Sequence, residues 1–435
     1  MSCAGGGRPR AAIVVTGSEL VRGERTDRNG PFFAREAMRL GLEPARITIV
    51  GDAPADLEAA LREGLEADAC LVSGGLGPTH DDRTVELLAR AAGLELVLDP
   101  ELEREIEAVS RAAAERLRRP YADFAPGVRK QATRPQGALS LGLAGTAPGL
   151  VLRTPNGCVA VVLPGPPVEL QRLWPRALET APLLDLLARA RPPGRRVLRF
   201  FGVSESAVAQ ALAEAGGDGN GVEATICARD FEIHVDLVVE PPAAARADAL
   251  EAGLASRLER WLYARDERGV EELVLSLCRA RGLRLITAES CTGGMVAARL
   301  TSVPGSSESF LGGIVAYSNE VKIRELGVSP TLLEEHGAVS AEVAAAMARG
   351  ARERLGADVA VAVTGVAGPG GGTAAKPVGL VHLYAEGPEG GLGREFSHPG
   401  DRASIRARAA VSALHLVRRL LTGSRDESVS PAPIP

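Results

Sequence analysis

The residues that could do chemistry fall into two groups. One lies in the last third of the chain: Glu289-Ser290-Cys291-Thr292-Gly293-Gly294, then Tyr317-Ser318-Asn319-Glu320-Val321-Lys322, then Thr364-Gly365-Val366-Ala367-Gly368-Pro369, and Gly400-Asp401-Arg402. Ser290 follows the apolar run RLITAE and precedes a helical pattern. At such a strand-to-helix corner, free backbone N–H groups and the helix dipole favour an oxyanion. A serine hydroxyl is a weak nucleophile and needs a base. No histidine lies in these motifs, so Lys322, together with Tyr317, is the candidate base if Lys322 is desolvated and partly neutral. The chain has 50 basic residues and only three lysines, Lys130, Lys322 and Lys376. Where nearly every cation is Arg, a Lys inside a motif stands out, because Lys can release its proton and Arg cannot. Each residue also has an ordinary reading: serine caps helices, lysine is solvated, tyrosine packs half-buried. Cys291 is a rival nucleophile. Neighbours at a strand end point different ways, so only one of the two can face a pocket, and a buried inert Cys is the common case.

The second group is N-terminal: Thr16-Gly17-Ser18-Glu19-Leu20, Asn29, Asp52, and Gly74-Gly75-Leu76-Gly77-Pro78-Thr79-His80-Asp81-Asp82-Arg83-Thr84. A glycine loop after a strand can cradle phosphates. Paired acids beyond it, Asp81 and Asp82, could hold a divalent cation that also touches those phosphates. The alternative is that one of the two caps a helix over 83–91.

The elements that must position these groups alternate. Residues 11–15 read as a strand, 30–40 as a helix, 46–52 as a strand, 54–66 as a helix and 68–75 as a strand. That order predicts a parallel sheet with helices on both faces, whose ligands sit beyond the carboxyl ends of the strands. Residues 101–119 form a charged helix, and 126–172 hold short strands and turns. The segments 197–203, 205–215, 222–228 and 231–240 read as strand, helix, strand, strand, a small α+β module spanning 176–262. From 263 onward a helix (269–281), a strand into Ser290, a strand (358–364) into a glycine loop and a long Arg-rich helix (402–421) make a second α/β domain over 263–423. The fold class expected is two three-layer α/β domains with mostly parallel sheets, 11–175 and 263–423, joined by that module. Residues 1–10 and 424–435 are expected to be disordered.

Composition removes several classes. The formal net charge is -5 with 3% aromatic residues, which gives no basic, base-stacking surface for nucleic acid. The six cysteines show no C-x-x-C spacing for a zinc site or a disulfide framework. No apolar run reaches about 18 residues, and no signal-peptide core opens the chain. A cytoplasmic protein without membrane or nucleic-acid partners is expected.

Taken together, AESCTGG, VPGSS, YSNEVK, GAVS, TGVAGPGG, KPVG and GDR over 263–421 resemble the C-terminal domain of the CinA family. That resemblance implies a serine amidohydrolase, needing no cofactor, that converts nicotinamide mononucleotide to nicotinic acid mononucleotide and ammonia. Ser290 would attack the carboxamide, and Lys322, relayed through Tyr317, would move the proton. Glu289, Cys291, Thr292, Gly293, Asn319, Thr364, Gly365, Gly368 and Arg402 would bind substrate, with Arg402 and the 365–372 loop on the phosphate. TGSEL, VGD, SGGLGPTHDDRT, GTAPG and LPGPP over 11–172 are similar to the molybdopterin-binding fold as fused in that family. They imply a metal-dependent ADP-ribose pyrophosphatase with Thr16, Gly17, Glu19, Asn29, Gly74, Gly75, Gly77 and Thr84 at the nucleotide and Asp81 and Asp82 at a divalent cation. Two positions depart from the family pattern: Gly142, and Arg28 within Asp27-Arg28-Asn29. The middle module resembles a KH-like insert without a clean GXXG loop, which suits a spacer or a dimer contact, and a homodimer is expected. Two other classes stay open, a non-catalytic competence or DNA-damage accessory protein and a molybdopterin-binding protein. Neither gives a purpose to Ser290, Tyr317 and Lys322 together.

Overall fold

The computed structural model describes residues 8–423. Residues 1–7 and 424–435 of the expected disordered ends lie outside the described residues. Residues 8–10 do not fit that expectation: Arg8 pairs with Glu43, and Arg10 opens the first strand. The chain divides into two compact units, Met1–Pro193 and Gly194–Pro435.

The first unit contains strands β1 (Arg10–Thr16), β2 (Glu43–Val50), β3 (Ala69–Ser73), β4 (Leu96–Leu98), β5 (Thr133–Pro135), β6 (Leu139–Leu143), β7 (Pro148–Arg153) and β8 (Val159–Leu163). Its helices are α1 (Ser18–Val21), α2 (Asn29–Arg39), α3 (Pro54–Gly64), α4 (Thr84–Ala92), α5 (Pro100–Leu117), α6 (Ala125–Gln131), α7 (Pro167–Leu178) and α8 (Ala181–Leu187). The sheet runs β2-β1-β3-β8-β7-β6. The first four strands are parallel; β7 and β6 are antiparallel additions. Both faces are covered, so the first four residues of β3 are apolar: Ala69 and Leu71 face one core, Cys70 and Val72 the other. Leu170, Leu173 and Trp174 of α7 and Leu183 and Leu186 of α8 pack into the first of these cores. The expected start of the middle module at 176 is therefore too early, because the apolar faces of these helices are buried on the first sheet.

The second unit begins with that module: β9 (Gly194–Phe200), α9 (Glu205–Glu214), β10 (Val222–Arg229), β11 (Glu232–Val239), α10 (Ala244–Arg257) and β12 (Leu262–Ala264). Its antiparallel sheet has the order β10-β11-β9-β12. β12 pairs with β9, so the module extends to Ala264, just past the expected 262. There follow α11 (Val270–Ala280), β13 (Leu285–Glu289), α12 (Met295–Thr301), β14 (Phe310–Val315), α13 (Asn319–Leu326), α14 (Pro330–His336), α15 (Ala341–Leu355), β15 (Val359–Gly365), β16 (Leu380–Gly387), β17 (Gly390–Ser397) and α16 (Arg402–Thr422). The order β14-β13-β15-β16-β17 is parallel over three strands and antiparallel over the last two. Strand β15 shows why this sheet takes helices on both faces. Val359, Val361 and Val363 enter the core that includes α11, α12 and α16; Ala360 and Ala362 enter the core with α13 and α15. The small side chains let the alanine-rich α15 come close. Gly350 of α15 brings it against α13, where a Cβ would lie 1.6 Å from the Leu326 carbonyl oxygen.

The module and the second α/β domain share a buried polar contact. His415 of α16 stacks on Phe201 at 3.7 Å between ring centroids, and its Nε2 lies 2.6 Å from Glu232 Oε1. Tyr263 Oη donates to Glu232 Oε2 at 2.7 Å. Arg418 Nε donates to His415 Nδ1, which fixes a neutral imidazole carrying its proton on Nε2. Burial holds the imidazole down from 6.5 to about 4. A histidine kept neutral in the fold loses stability as pH falls from its unfolded value toward the folded one, because the unfolded chain takes up the proton first. The unit should therefore lose stability between pH 6.5 and 4. His415→Gln should lower Tm by several degrees at pH 7, with the gap narrowing toward pH 5. Calorimetric curves that stay parallel across this range would contradict the assignment.

Candidate active site

Strand parity decides which residue at the end of β13 faces which helix. Leu285 and Cys291 belong to the core beneath α16, whereas Ile286 and Ala288 face α13 and α15. Ser290 shares the second parity. Its Oγ meets Lys322 Nζ, which donates to it at 3.1 Å. Cys291 is 6% exposed within the opposite core, and burial pushes its thiol up to about 11. The rival nucleophile is thus an inert core residue.

Lys322, on the first turns of α13, is 1% exposed. Its ammonium donates to the carbonyls of Ala316 at 2.8 Å and Tyr317 at 3.4 Å as well as to Ser290. No carboxylate pairs with it among the described residues, and burial lowers its pKa from 10.5. Desolvation without a counter-charge favours the neutral amine, the form a general base requires. The expected relay through Tyr317 is not what the geometry shows: Lys322 reaches Ser290 directly. The Tyr317 side chain is exposed, and its Oη accepts from Arg402 Nη2 at 2.8 Å.

Around this pair the backbone supplies further donors. Ser290 N–H is used on Val363 O at 2.9 Å and Gly293 N–H on Ser290 O at 3.1 Å. The amides of Cys291 and Thr292 bond to no backbone carbonyl among the described residues and lie beside the Cys291 thiol. Arg402, on the first turn of α16, ties the mouth together, with Nη1 on Gly368 O at 2.8 Å and Nη2 on Tyr317. Asn319 is exposed at the start of α13.

Several residues expected to bind substrate hold the corner instead. Glu289 is 1% exposed, and its carboxylate accepts from the amides of Gly294 at 2.9 Å, Val296 at 3.1 Å and Ala297 at 2.8 Å. It satisfies the orphan donors that open α12, a place where Ser290 had been the alternative cap. Thr364 is buried and donates to Ala338 O at 2.7 Å. Gly365 is packed against Leu380, where a Cβ would lie 2.7 Å from the carbonyl oxygen. Gly293, at φ 60, gives the corner its left-handed turn, and Thr292 is fully buried. Arg406, one turn beyond Arg402, escaped the sequence reading; its Nε donates to Cys291 O at 3.0 Å and its Nη2 to Thr292 O at 2.8 Å. The signal was its i+4 spacing from Arg402 on a helix whose start lies at this mouth.

The N-terminal candidates gather at the carboxyl ends of β1 and β3, though most are occupied. Thr16 Oγ1 donates to Asp52 Oδ1 at 3.1 Å, and Ser18 Oγ to Asp52 Oδ2 at 2.6 Å. Gly17 N donates to Val50 O at 3.0 Å, and the Glu19 carboxylate lies over Gly17. Asn29 and Thr84 were expected at a nucleotide. Asn29 is buried, with Nδ2 on Ser73 Oγ at 2.8 Å and Gly165 O at 2.7 Å; Thr84 is buried, with Oγ1 on Gly74 O at 2.9 Å. Both are structural pins. Gly74 and Gly75 take φ of 104 and 65, and Gly77 leaves room for the Asp82 carboxylate. The amides of Gly75, Leu76 and Gly77 bond to no backbone carbonyl among the described residues. Asp81 and Asp82 do not cap α4, whose N-cap is Arg83. The Thr79 hydroxyl, with one proton to give, lies between the two carboxylates, and Asp82 Oδ2 also accepts from the Thr79 amide at 3.0 Å. Among the described residues no three His, Cys, Asp or Glu side chains gather as a metal group. A Mg²⁺ ion at a nucleotide is held by one or two carboxylates together with waters and substrate phosphates, and Asp81 and Asp82 are the two carboxylates here that would hold it.

Glu289→Gln should cost about 1–3 kcal/mol in stability, because an amide N–H₂ is turned against at least one buried N–H. Urea unfolding reads this. A raised KM with unchanged stability would instead return Glu289 to the substrate.

Three family models match the chain: CinA C-terminal domain over residues 267–421, Probable molybdopterin binding domain over 12–184, and Damage-inducible protein CinA KH domain over 195–264. The last two meet near the boundary between the structural units. The chain is similar to a CinA-like protein of Mycolicibacterium paratuberculosis, 46% identical over 433 residues, covering 95% of this chain and 98% of that one. It is equally similar, at 46% over 424 residues (95% and 98%), to a CinA-like protein of Mycobacterium tuberculosis H37Rv. A crystal structure of competence/damage inducible protein CihA from Agrobacterium tumefaciens is 42% identical, covering 37% of this chain and 99% of that chain, with a TM-score of 0.34. The comparison thus extends over all three domains and nearly the full length of the relatives, and the chain belongs to the CinA family.

Proposed function

We propose that the second α/β domain is a serine–lysine amidohydrolase that deamidates nicotinamide mononucleotide. The observation that carries this reading is the buried, carboxylate-free Lys322 Nζ at 3.1 Å from Ser290 Oγ. A structural lysine is normally solvated or paired. One held in a desolvated position against a serine hydroxyl is a general base beside its nucleophile.

The steps follow from the groups present. Neutral Lys322 takes the Ser290 proton as Oγ attacks the carboxamide carbon. Charge develops on the carboxamide oxygen at a strand-to-helix corner, where backbone donors and the helix dipole favour it. Lys322, now an ammonium, gives its proton to the departing nitrogen, and ammonia leaves. Water, deprotonated by the same amine, then attacks the ester; Oγ recovers its proton and nicotinic acid mononucleotide is released. No cofactor is called for. The guanidinium of Arg402 uses two of its five N–H groups on Gly368 and Tyr317, so others are available to the substrate phosphate.

Ser290→Ala should abolish ammonia release by the purified full chain, and Lys322→Arg should lower kcat about 10³-fold or more, since Arg keeps the charge without a removable proton. Full turnover by either variant would exclude the mechanism. Because burial lowers the Lys322 pKa, the base form is populated as pH rises. The acid limb of kcat should therefore have its midpoint below the ordinary lysine value of about 10.4. A limb at or above that value would mean another base.

A further inference from the structure

Two motifs of the second α/β domain, GAVS at 337–340 and KPVG at 376–379, take no part in the steps above, and the fold brings them together. Lys376 Nζ donates to His336 O at 2.5 Å, and a Cβ on Gly337 would lie 2.8 Å from that nitrogen. The glycine therefore lets the ammonium sit directly on the turn that leads into α15. In the same turn Ala338 O accepts from Thr364 Oγ1 at 2.7 Å. Thr364 in turn stands beside Ser290, whose amide donates to the carbonyl of the preceding Val363. Ser290, Thr364 and the turn under Lys376 thus follow one another along the side of the sheet that carries α13 and α15, where Ser290 Oγ meets Lys322.

The charge of Lys376 is not spent within the protein. The side chain is half-buried, and it forms no ion pair with a carboxylate among the described residues. His336 O takes one of its three N–H groups, which leaves two for a ligand. The loop that bears it, between β15 and β16, is closed at its base by Gly379 N on Val366 O at 2.8 Å. Its limbs touch: a Cβ on Gly368 would lie 2.7 Å from Val378 Cγ1. Because Gly368 O holds Arg402, two cations flank one narrow loop. We infer that Lys376 is a specificity-determining residue of the deamidase, whose ammonium receives the phosphate monoester of the substrate on the far side of Thr364 from the nucleophile. A mononucleotide carries its carboxamide at one end and its phosphate at the other. The amine that serves the first and the cation that holds the second must therefore be separate groups on one side of the sheet. Lys322 and Lys376 are two such groups, and a lysine ammonium binds phosphate as a point charge.

The inference rests on the deamidase reading, and the test separates the two. The full chain, Lys376→Met and Lys376→Arg are assayed for ammonia release from nicotinamide mononucleotide and from nicotinamide riboside, which has the same carboxamide and no phosphate. Binding of nicotinamide mononucleotide is measured by calorimetry in Ser290→Ala, with and without Lys376→Met. Lys376→Met should raise KM for the mononucleotide about 10- to 100-fold and weaken binding to the Ser290→Ala chain by the same factor. Its kcat on the mononucleotide and its kcat/KM on the riboside should stay within about threefold of wild type. Lys376→Arg keeps the charge and should recover most of the loss. A lysine that merely pinned the turn would cost both substrates alike. Equal losses on the two, or a KM for the mononucleotide within about twofold of wild type, would overturn the role of Lys376 and leave the deamidase standing. A wild type that releases ammonia from neither compound would reject the deamidase reading, and the calorimetric ratio would still decide Lys376, equal affinities overturning its role. Neither turnover nor binding would overturn both.

Discussion

An ammonium group taken out of water and given no carboxylate costs several kcal/mol, and the second unit places one against a serine. Lys322 is 1% exposed, and among the described residues its partners are Ser290 Oγ and two carbonyls. Much of the domain serves that placement. Parity along β13 sends Ser290 toward α13 and Cys291 into the opposite core. The Ala316 and Tyr317 carbonyls come from the turn after β14. Gly350 lets α15 press on α13, so the helix that bears Lys322 is held down on the sheet. The cost of keeping this amine dry is met by packing elsewhere, as is usual where a site departs from local rules.

Helix α16 ties this centre to its surroundings. Arg402 spans Gly368 and Tyr317 at the mouth, Arg406 grips the corner at Cys291 and Thr292, and His415, farther along, joins Glu232 of the middle module. One helix thus contacts the mouth of the site, the turn behind the nucleophile and the neighbouring module. The Glu232 carboxylate, held down to about 2, and the neutral His415 imidazole form the polar part of the last contact.

Much of this was legible in the sequence, for reasons that can be named. The alternation of valine and alanine in β15 and the apolar run Ala69–Val72 of β3 give strands buried on both faces. The scarcity of lysine singled out Lys322 before any contact was known. Legibility failed where a residue's work depends on where its side chain turns. Glu289, Thr364, Asn29 and Thr84 stand in motifs beside the sites, yet each spends its polar atoms on backbone or neighbouring side chains. Asp81 and Asp82 look like cation ligands by spacing, and both carboxylates converge on the Thr79 hydroxyl. Tyr317 is near Lys322 in sequence, and its ring nevertheless leaves for Arg402 while its carbonyl stays. Arg406 lay in no motif at all, because its partners are carbonyl oxygens, which sequence does not display.

The protonation state of Lys322 is the quantity on which the account turns, and the composition makes it measurable. With three lysines in the chain, Lys labelled with ¹³C at Cε gives three side-chain signals, and Lys322→Arg identifies one by its loss. Titration of that signal in the full chain should show a midpoint below the ordinary value of about 10.4, the base form growing in as pH rises toward it. A Lys322 signal that titrates at or above that value would contradict the general base and the mechanism built on it.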